Sequence, residues 1–491
     1  MAGRASILAR GTLCEVFCQA INVEFSSVDY EDRRRSLLNL GISGDRGCSK
    51  CQLLYEACVG LYPYSEEAAA RVMVRLLDSF GCAQLYFEII GDSLINPQGG
   101  FYNPSDVYLH YLYKFTPPDW ISLHPYRKPL ICRQDQFREL VIDWMDDCER
   151  NHPLCLRPAT PLPTRVINVG DSKGKEPFLY VSQGEEARYV ALSHCWGEVL
   201  LIKTEKSNIA KHQNDIPFAT LPKNFKDAIT VARAIGVQYI WIDSLCIIQD
   251  DGPDWEAESS KMASIYRNAH VVLIASNAAD SQGGLWNAQW DDYDQADVVL
   301  EFPYQNFDGS ASRIIARRDM SHEDIIPESY LEYAAPSALS KRAWTLQEEL
   351  LALRCIFFTA KELLWKCESA QKCECMQEDI EYTKRSPEER KFWESAKSED
   401  SKKRFGDWRS LMAYYSKRHI TYESDRLPAI SGMAKYMQSK GAGAYLAGMW
   451  KDDLWESLLW LPKPVWRDVV NDNLTSTYRK RSFPYSAPTW S

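Results

Sequence analysis

No run of apolar residues in this 491-residue chain approaches the roughly 18 that a membrane-spanning helix needs. A basic surplus is missing too: 57 Lys and Arg face 67 Asp and Glu, a net charge of -10. Coating a phosphate backbone needs a basic face, so neither nucleic acid nor a membrane is an expected partner. Internal repeats and low-complexity tracts are absent. With 45% hydrophobic and 25% charged residues, the composition excludes a disordered, collagen-like or coiled-coil chain. Familiar enzyme signatures are lacking as well. Gly170-Asp-Ser-Lys-Gly-Lys175 is one residue short of a P-loop and lacks its Ser/Thr, and neither H-E-x-x-H nor a GxGxxG after a strand occurs. Fifteen cysteines in 491 residues lie far below the density of a small disulfide scaffold. Without a secretory signal they read as reduced thiols, mostly buried, and the expected compartment is the cytoplasm.

What is present becomes informative along the chain. The first 180 residues mix helical stretches with Pro-rich connections. Apolar spacing at Ala69, Val72, Met73, Leu76 and Leu77 predicts a helix over 66–79, and Phe137, Leu140, Ile142, Trp144 and Met145 predict one over 136–148. Pro158, Pro161 and Pro163 form a joint. Beyond Arg188 the style changes. Tyr189 to Ser193, Tyr239 to Asp243, His270 to Ala275 and Cys355 to Phe358 predict strands. Between them, Phe225 to Gly236 predicts an amphipathic helix, Asp254 an N-cap for a helix through Ala269, and Ser340 an N-cap for a helix to Leu351. Such alternation predicts an α/β fold with a parallel sheet covered on both faces. The acidic-aromatic stretch Trp290 to Asp294 lies in a long connection, and residues 376–408 read as a charged, solvated segment.

Ligands of open parallel sheets sit beyond the carboxyl ends of the strands. That rule picks out His194, Cys195 and Trp196, then Asp243, then Ser276 and Asn277. A bare buried carboxylate is costly, so Asp243 is either a site group or a cap or ion-pair partner for its loop. Trp344 and Glu348, at i and i+4, share one helix face. Glu348 is then a functional acid or the partner of Arg342 or Arg354. Glu258, three residues after Trp255, poses the same choice, whereas Glu349 faces solvent. His194 and Cys195 cannot form a nucleophile pair on one strand, because neighbours point to opposite faces. Cys48-x-x-Cys51 is half of a zinc knuckle, and Cys148-x3-His152-x2-Cys155 offers further ligands; the alternative is buried thiols with a capping His. Cys367, Cys373 and Cys375 are irregularly spaced and expected not to ligate.

Five motifs in order resemble the fungal heterokaryon-incompatibility (HET) domain. They are Tyr189-Val-Ala-Leu-Ser-His-Cys-Trp-Gly197, Leu221-Pro-Lys-Asn-Phe-Lys-Asp-Ala-Ile229, Tyr239-Ile-Trp-Ile-Asp-Ser-Leu-Cys-Ile-Ile-Gln-Asp250, Asp254-Trp with Glu258-Ser and Met262 to Ala269, and Arg342-Ala-Trp-Thr-Leu-Gln-Glu348. Flanking pieces, including Asp425-Arg-Leu-Pro-Ala-Ile-Ser-Gly432, also resemble those of HET proteins. The resemblance implies a HET domain over 189–367 between accessory regions 1–180 and 368–491, both mostly helical. It implies a role in self/non-self recognition and programmed cell death. HET domains are in turn remotely similar to Toll/interleukin-1 receptor (TIR) domains, which implies a TIR-like, flavodoxin-like sheet. Trp344-x-x-x-Glu348 resembles the Trp-x-x-x-Glu of NAD-cleaving TIR domains. On that likeness Glu348 is the catalytic carboxylate with Glu258 in reserve, Ser193, His194, Trp196, Asp243 and Trp344 line the pocket, and NAD is substrate rather than cofactor. A non-enzymatic module signalling by homo-oligomerisation, or through an incompatibility partner, is the other implication; a zinc-stabilised interaction protein is the third reading. Family members usually continue past a segment like Ala487-Pro-Thr-Trp-Ser491, so a shortened C-terminal region is expected.

Overall fold

The computed structural model describes residues 35–46, 48–61, 72–79, 82–89, 107–112, 116–118, 125–126, 134–171, 175–197, 202–286, 300–318, 337–359, 363–374 and 387–459. The stretch Trp290 to Asp294 and the segment Ala487 to Ser491 lie outside them. The chain divides into two compact units.

The larger unit comprises Leu130–Trp290, His322–Cys373 and Asp379–Ser491. Short apolar runs, rich in β-branched and aromatic residues, supply most of its eight-stranded sheet. In chain order the strands are β1 (Arg165–Asn168), β2 (Phe178–Val181), β3 (Tyr189–Ser193), β4 (Tyr239–Trp241), β5 (Val271–Ile274), β6 (Arg354–Phe358), β7 (Leu363–Cys367) and β8 (Gln371–Cys373). They lie in the order β8-β7-β6-β5-β3-β4-β1-β2. The four central strands, β4-β3-β5-β6, are parallel. Outside them every pairing is antiparallel, so the sheet is mixed rather than parallel throughout. Strands β3 and β5 are buried at every position, as continuous apolar runs in a covered sheet require.

Eight helices complete the framework used below: α1 (Gln134–Asn151), α2 (Lys223–Ala234), α3 (Gly252–Ser259), α4 (Met262–Asn268), α5 (Ala343–Leu351), α6 (Pro387–Lys397), α7 (Ser401–Tyr415) and α8 (Pro428–Ser439). α2 ends at Gly236 with φ 74°, a left-handed value that suits glycine. The single helix expected over 254–269 is two, α3 and α4. Asp254 is not its cap; it lies inside the first turn, and its carboxylate is taken by Arg165. Nor does Ser340 cap α5, which starts at Ala343 after an extended Arg342. The Thr345 hydroxyl instead bonds the carbonyls of Leu339 and Arg342.

A second apolar cluster forms where α5 meets the C-terminal helices, with Leu346, Leu350, Phe392, Trp408, Met433 and Trp450 at its centre. Gly432 explains how closely α8 approaches. A Cβ there would lie 2.1 Å from the Ala263 Cβ on α4 and 2.8 Å from Gln347 Oε1 on α5. Gly432→Val is therefore expected to destabilise the unit by about 3 kcal/mol through overpacking, read as a lower urea midpoint. An unchanged midpoint would mean that the helices separate freely.

The smaller unit comprises Met1–Pro129, Asp291–Ser321 and Glu374–Glu378. Here the mostly helical expectation gives way. Arg35–Ser36, Val72–Ser79, Cys82–Ile89, Val107–Leu112, Ala311–Arg318 and Leu300–Gln305 pair antiparallel in that order, beside helices Leu37–Asp45 and Ser49–Leu61. The helix predicted over 66–79 is, in its described part, the strand Val72–Ser79. Val72, Val74 and Leu76 also alternate, so this short apolar run satisfies both periods. Its pairing with Cys82–Ile89 settles the matter. Among the described residues no helix is long and apolar enough to cross a membrane.

Candidate active site

Among the parallel strands, the chain passes from β3 to β4 on one side and then to β5 on the other. In open α/β sheets such a reversal marks the place where ligands bind, here the carboxyl ends of β3 and β5. Ser193, fully buried, ends β3 there. α5 brings Glu348 onto it, and the Ser193 hydroxyl donates to Glu348 Oε2 at 2.5 Å. From α4, the buried Tyr266 hydroxyl donates to the Leu192 carbonyl at 3.2 Å.

Glu348 is only 5% exposed, and no ion pair to it occurs among the described residues. Burial pushes its pKa up, the Ser193 hydrogen bond pulls it down, the Asp243 charge raises it and Arg342 lowers it; the outcome is about 7. The arginines proposed as its structural partners are engaged elsewhere. Arg342 donates to the His194 carbonyl at 2.7 Å. Arg354 donates to Cys148 Sγ and to the carbonyls of Cys155 and His270.

The neighbouring motif residues gather as the strand-end rule expects. Trp196 Nε1 donates to Asp243 Oδ2 at 2.8 Å, while Asp243 Oδ1 accepts the Ser244 amide at 2.7 Å. His194 Nδ1 lies 4.0 Å from Asp243 Oδ1, and its ring meets Phe225 edge-on. Burial drives the His194 pKa down to about 4, against the pull of Asp243, so the imidazole is neutral at pH 7. Its Nε2 is buried without a hydrogen-bond partner among the described residues. Burial also raises the Cys195 thiol, consistent with a non-nucleophilic cysteine. Gly197 closes the turn at φ 75°, and a Cβ there would stand 2.3 Å from the Asp280 Cβ.

Other sequence choices fall differently. Glu258, 3% exposed, accepts from Thr164 Oγ1 and Lys261 Nζ, each at 2.8 Å, and bonds none of the groups around Glu348. Trp344 is half-buried and packs against both apolar clusters. Tyr266 falls inside the Met262 to Ala269 motif but is not expected as a site residue, since in the sequence it looks like one more seam residue on its helix.

The cysteine sets are also rearranged. Cys148, His152 and Cys155 do converge, but their fourth neighbour is Cys367, and all four ligand atoms lie within 4.8 Å of one another. Cys48 and Cys51 belong to the other compact unit and take no part in this cluster. Irregular spacing hides the nearness of Cys367 to this cluster, because strand pairing rather than local sequence delivers it. Cys375 lies outside the described residues.

The class these features define is an α/β domain with a buried acid at the carboxyl edge of a parallel sheet core. Residues 189–348 match the model of the family described as Heterokaryon incompatibility protein (HET), so the chain carries a HET domain. The match starts at the first residue of β3 and ends at Glu348. Comparison with curated proteins found no match, and neither did comparison with solved structures.

Proposed function

We propose that this HET domain hydrolyses the nicotinamide–ribose bond of NAD and thereby drives cell death in fungal self/non-self recognition. The observation that carries the reading is the Glu348 carboxyl, held by Ser193 at the switch point of the sheet, one helical turn from Trp344. Supporting it, the parallel strands run in the spatial order second, first, third, fourth, as in flavodoxin-like sheets. A TIR-like core fits that order.

Cleavage breaks the C1′–N bond, and its electron pair leaves on nicotinamide, which departs neutral from a cationic ring. No general acid is required. Positive charge develops on the ribose, and an ionised Glu348 stabilises it more than it does the ground state. Water adds to C1′ and releases a proton, giving ADP-ribose. Ser193 orients the carboxyl, and Asp243 adds negative potential beside it. Because Glu348 is buried, the resting site is closed, and an activating partner or self-assembly opens it to the dinucleotide.

That same burial, with Trp344 packed against both apolar clusters, favours a second reading: an assembly module in which these residues only pack. Expression of the full chain in a fungal host separates the two. Under the first reading cellular NAD collapses before viability falls, with nicotinamide and ADP-ribose rising equally. Death at unchanged NAD would overturn it in favour of assembly.

A further inference from the structure

We propose that Cys148, His152, Cys155 and Cys367 bind a structural zinc ion. All three cysteines are buried, and the half-buried His152 closes the set. Zinc bonds of about 2.3 Å to sulfur and 2.0 Å to nitrogen imply ligand–ligand edges of roughly 3.5–3.8 Å in a tetrahedron. His152 Nδ1 and Cys367 Sγ stand 3.4 Å apart, and no pair in the set exceeds 4.8 Å. The four ligand atoms thus stand within about an ångström of tetrahedral zinc spacing.

The three sulfurs belong to the apolar core, yet each has a polar group beside it. Arg354 Nε donates to Cys148 Sγ at 3.3 Å, and the Ala370 amide donates to Cys367 Sγ at 3.2 Å. Ser369 Oγ lies 3.9 Å from Cys155 Sγ. Outer hydrogen-bond donors of this kind orient metal-bound sulfur and hold its charge. Three thiolates and one histidine leave a zinc site with one net negative charge, and the buried Arg354 guanidinium is placed to balance it. A disulfide explains less, since any single pairing strands a thiol beside the imidazole.

The connectivity gives the ion a task. Cys148 lies on the last turn of α1, His152 directly follows that helix, Cys155 ends the 3-10 turn Pro153–Cys155, and Cys367 ends β7. The HET-matched segment 189–348 lies wholly between Cys155 and Cys367. The zinc therefore staples the chain entering the domain to the chain leaving it, with loop closure as the physical gain. This inference stands apart from the NAD reading.

The test is metal analysis of the purified full chain, made under reducing conditions with zinc supplied and then desalted. About one zinc per chain is expected. Cys48→Ser and Cys51→Ser should keep it, and Cys367→Ser should lose it. Should Cys367→Ser fail to fold, titrating wild-type thiols with a mercurial must release zinc in step with their modification, and cobalt substitution must give the intense visible bands of tetrahedral thiolate coordination. Folded protein without zinc, zinc unaffected by Cys367→Ser, zinc release out of step with the thiols, or a disulfide-linked peptide joining two of the three cysteines would overturn the proposal.

Discussion

Glu348→Gln is expected to cut NAD turnover by about a thousandfold while making the protein more stable above neutral pH. The catalytic loss follows from removing the charge that meets the oxocarbenium-like ribose, an effect of about 10^2–10^3-fold for a single preorganised electrostatic group. The gain in stability follows from the same burial. Glu348 holds its proton up to about pH 7 in the folded protein, against an ordinary value of 4.5. Its contribution is fully present below the unfolded value and is lost as pH rises through about 7, because the folded state must then carry a buried charge. At roughly 1.4 kcal/mol per unit, the wild type loses up to about 3 kcal/mol by pH 8. Glutamine keeps an acceptor for Ser193 and carries no charge. Thermal unfolding of both proteins at pH 5 and pH 8 checks this: the gap should be small at pH 5 and several degrees at pH 8. Parallel pH profiles would mean that Glu348 ionises freely, and its proposed role would fall with its burial. Wild-type turnover, for the same reason, should climb through pH 7 and then level.

Arg165→Leu should produce the largest loss of stability, about 3–5 kcal/mol, since it leaves a poorly solvated carboxylate without its cation. Arg165 Nη2 reaches both Asp254 oxygens, at 2.7 and 2.6 Å, and Nε donates to the Cys246 carbonyl at 2.7 Å. Asp254 Oδ2 also accepts the Ile248 amide at 2.9 Å. Together these bonds lash β1 to the segment that follows Asp243, so the substitution also loosens the loop beside Glu348. The double variant Arg165→Leu/Asp254→Leu should unfold at higher urea than the two single losses predict when summed. A coupling of about 2 kcal/mol is expected for such a directly bonded pair. Strict additivity would show that Arg165 acts through packing alone.

Local periodicity made much of the central domain legible. β3 to β6 are short apolar runs that no amphipathic helix would tolerate, and α2 carries its apolar seam and terminal glycine in plain view. The strand-end rule then placed His194, Trp196 and Asp243 together, and helical spacing put Trp344 and Glu348 on one face. Less legible was any element whose identity depends on a distant partner. Val72–Ser79 fits both periods until Cys82–Ile89 pairs with it. Cys367 has no local ligand spacing, yet strand pairing sets it opposite Arg354, which bonds Cys148 and Cys155.

The amino-acid sequence by itself determined the strands β3 to β6 and the apolar seam of α2, because those properties repeat within a few residues. Tertiary structure alone decided which polar groups meet. Ser193 and Glu348 are 155 residues apart, and their hydrogen bond exists because α5 packs onto the end of β3. The proton affinity of Glu348 belongs to that packing as well, since exclusion of water, not the residue type, lifts it to about 7.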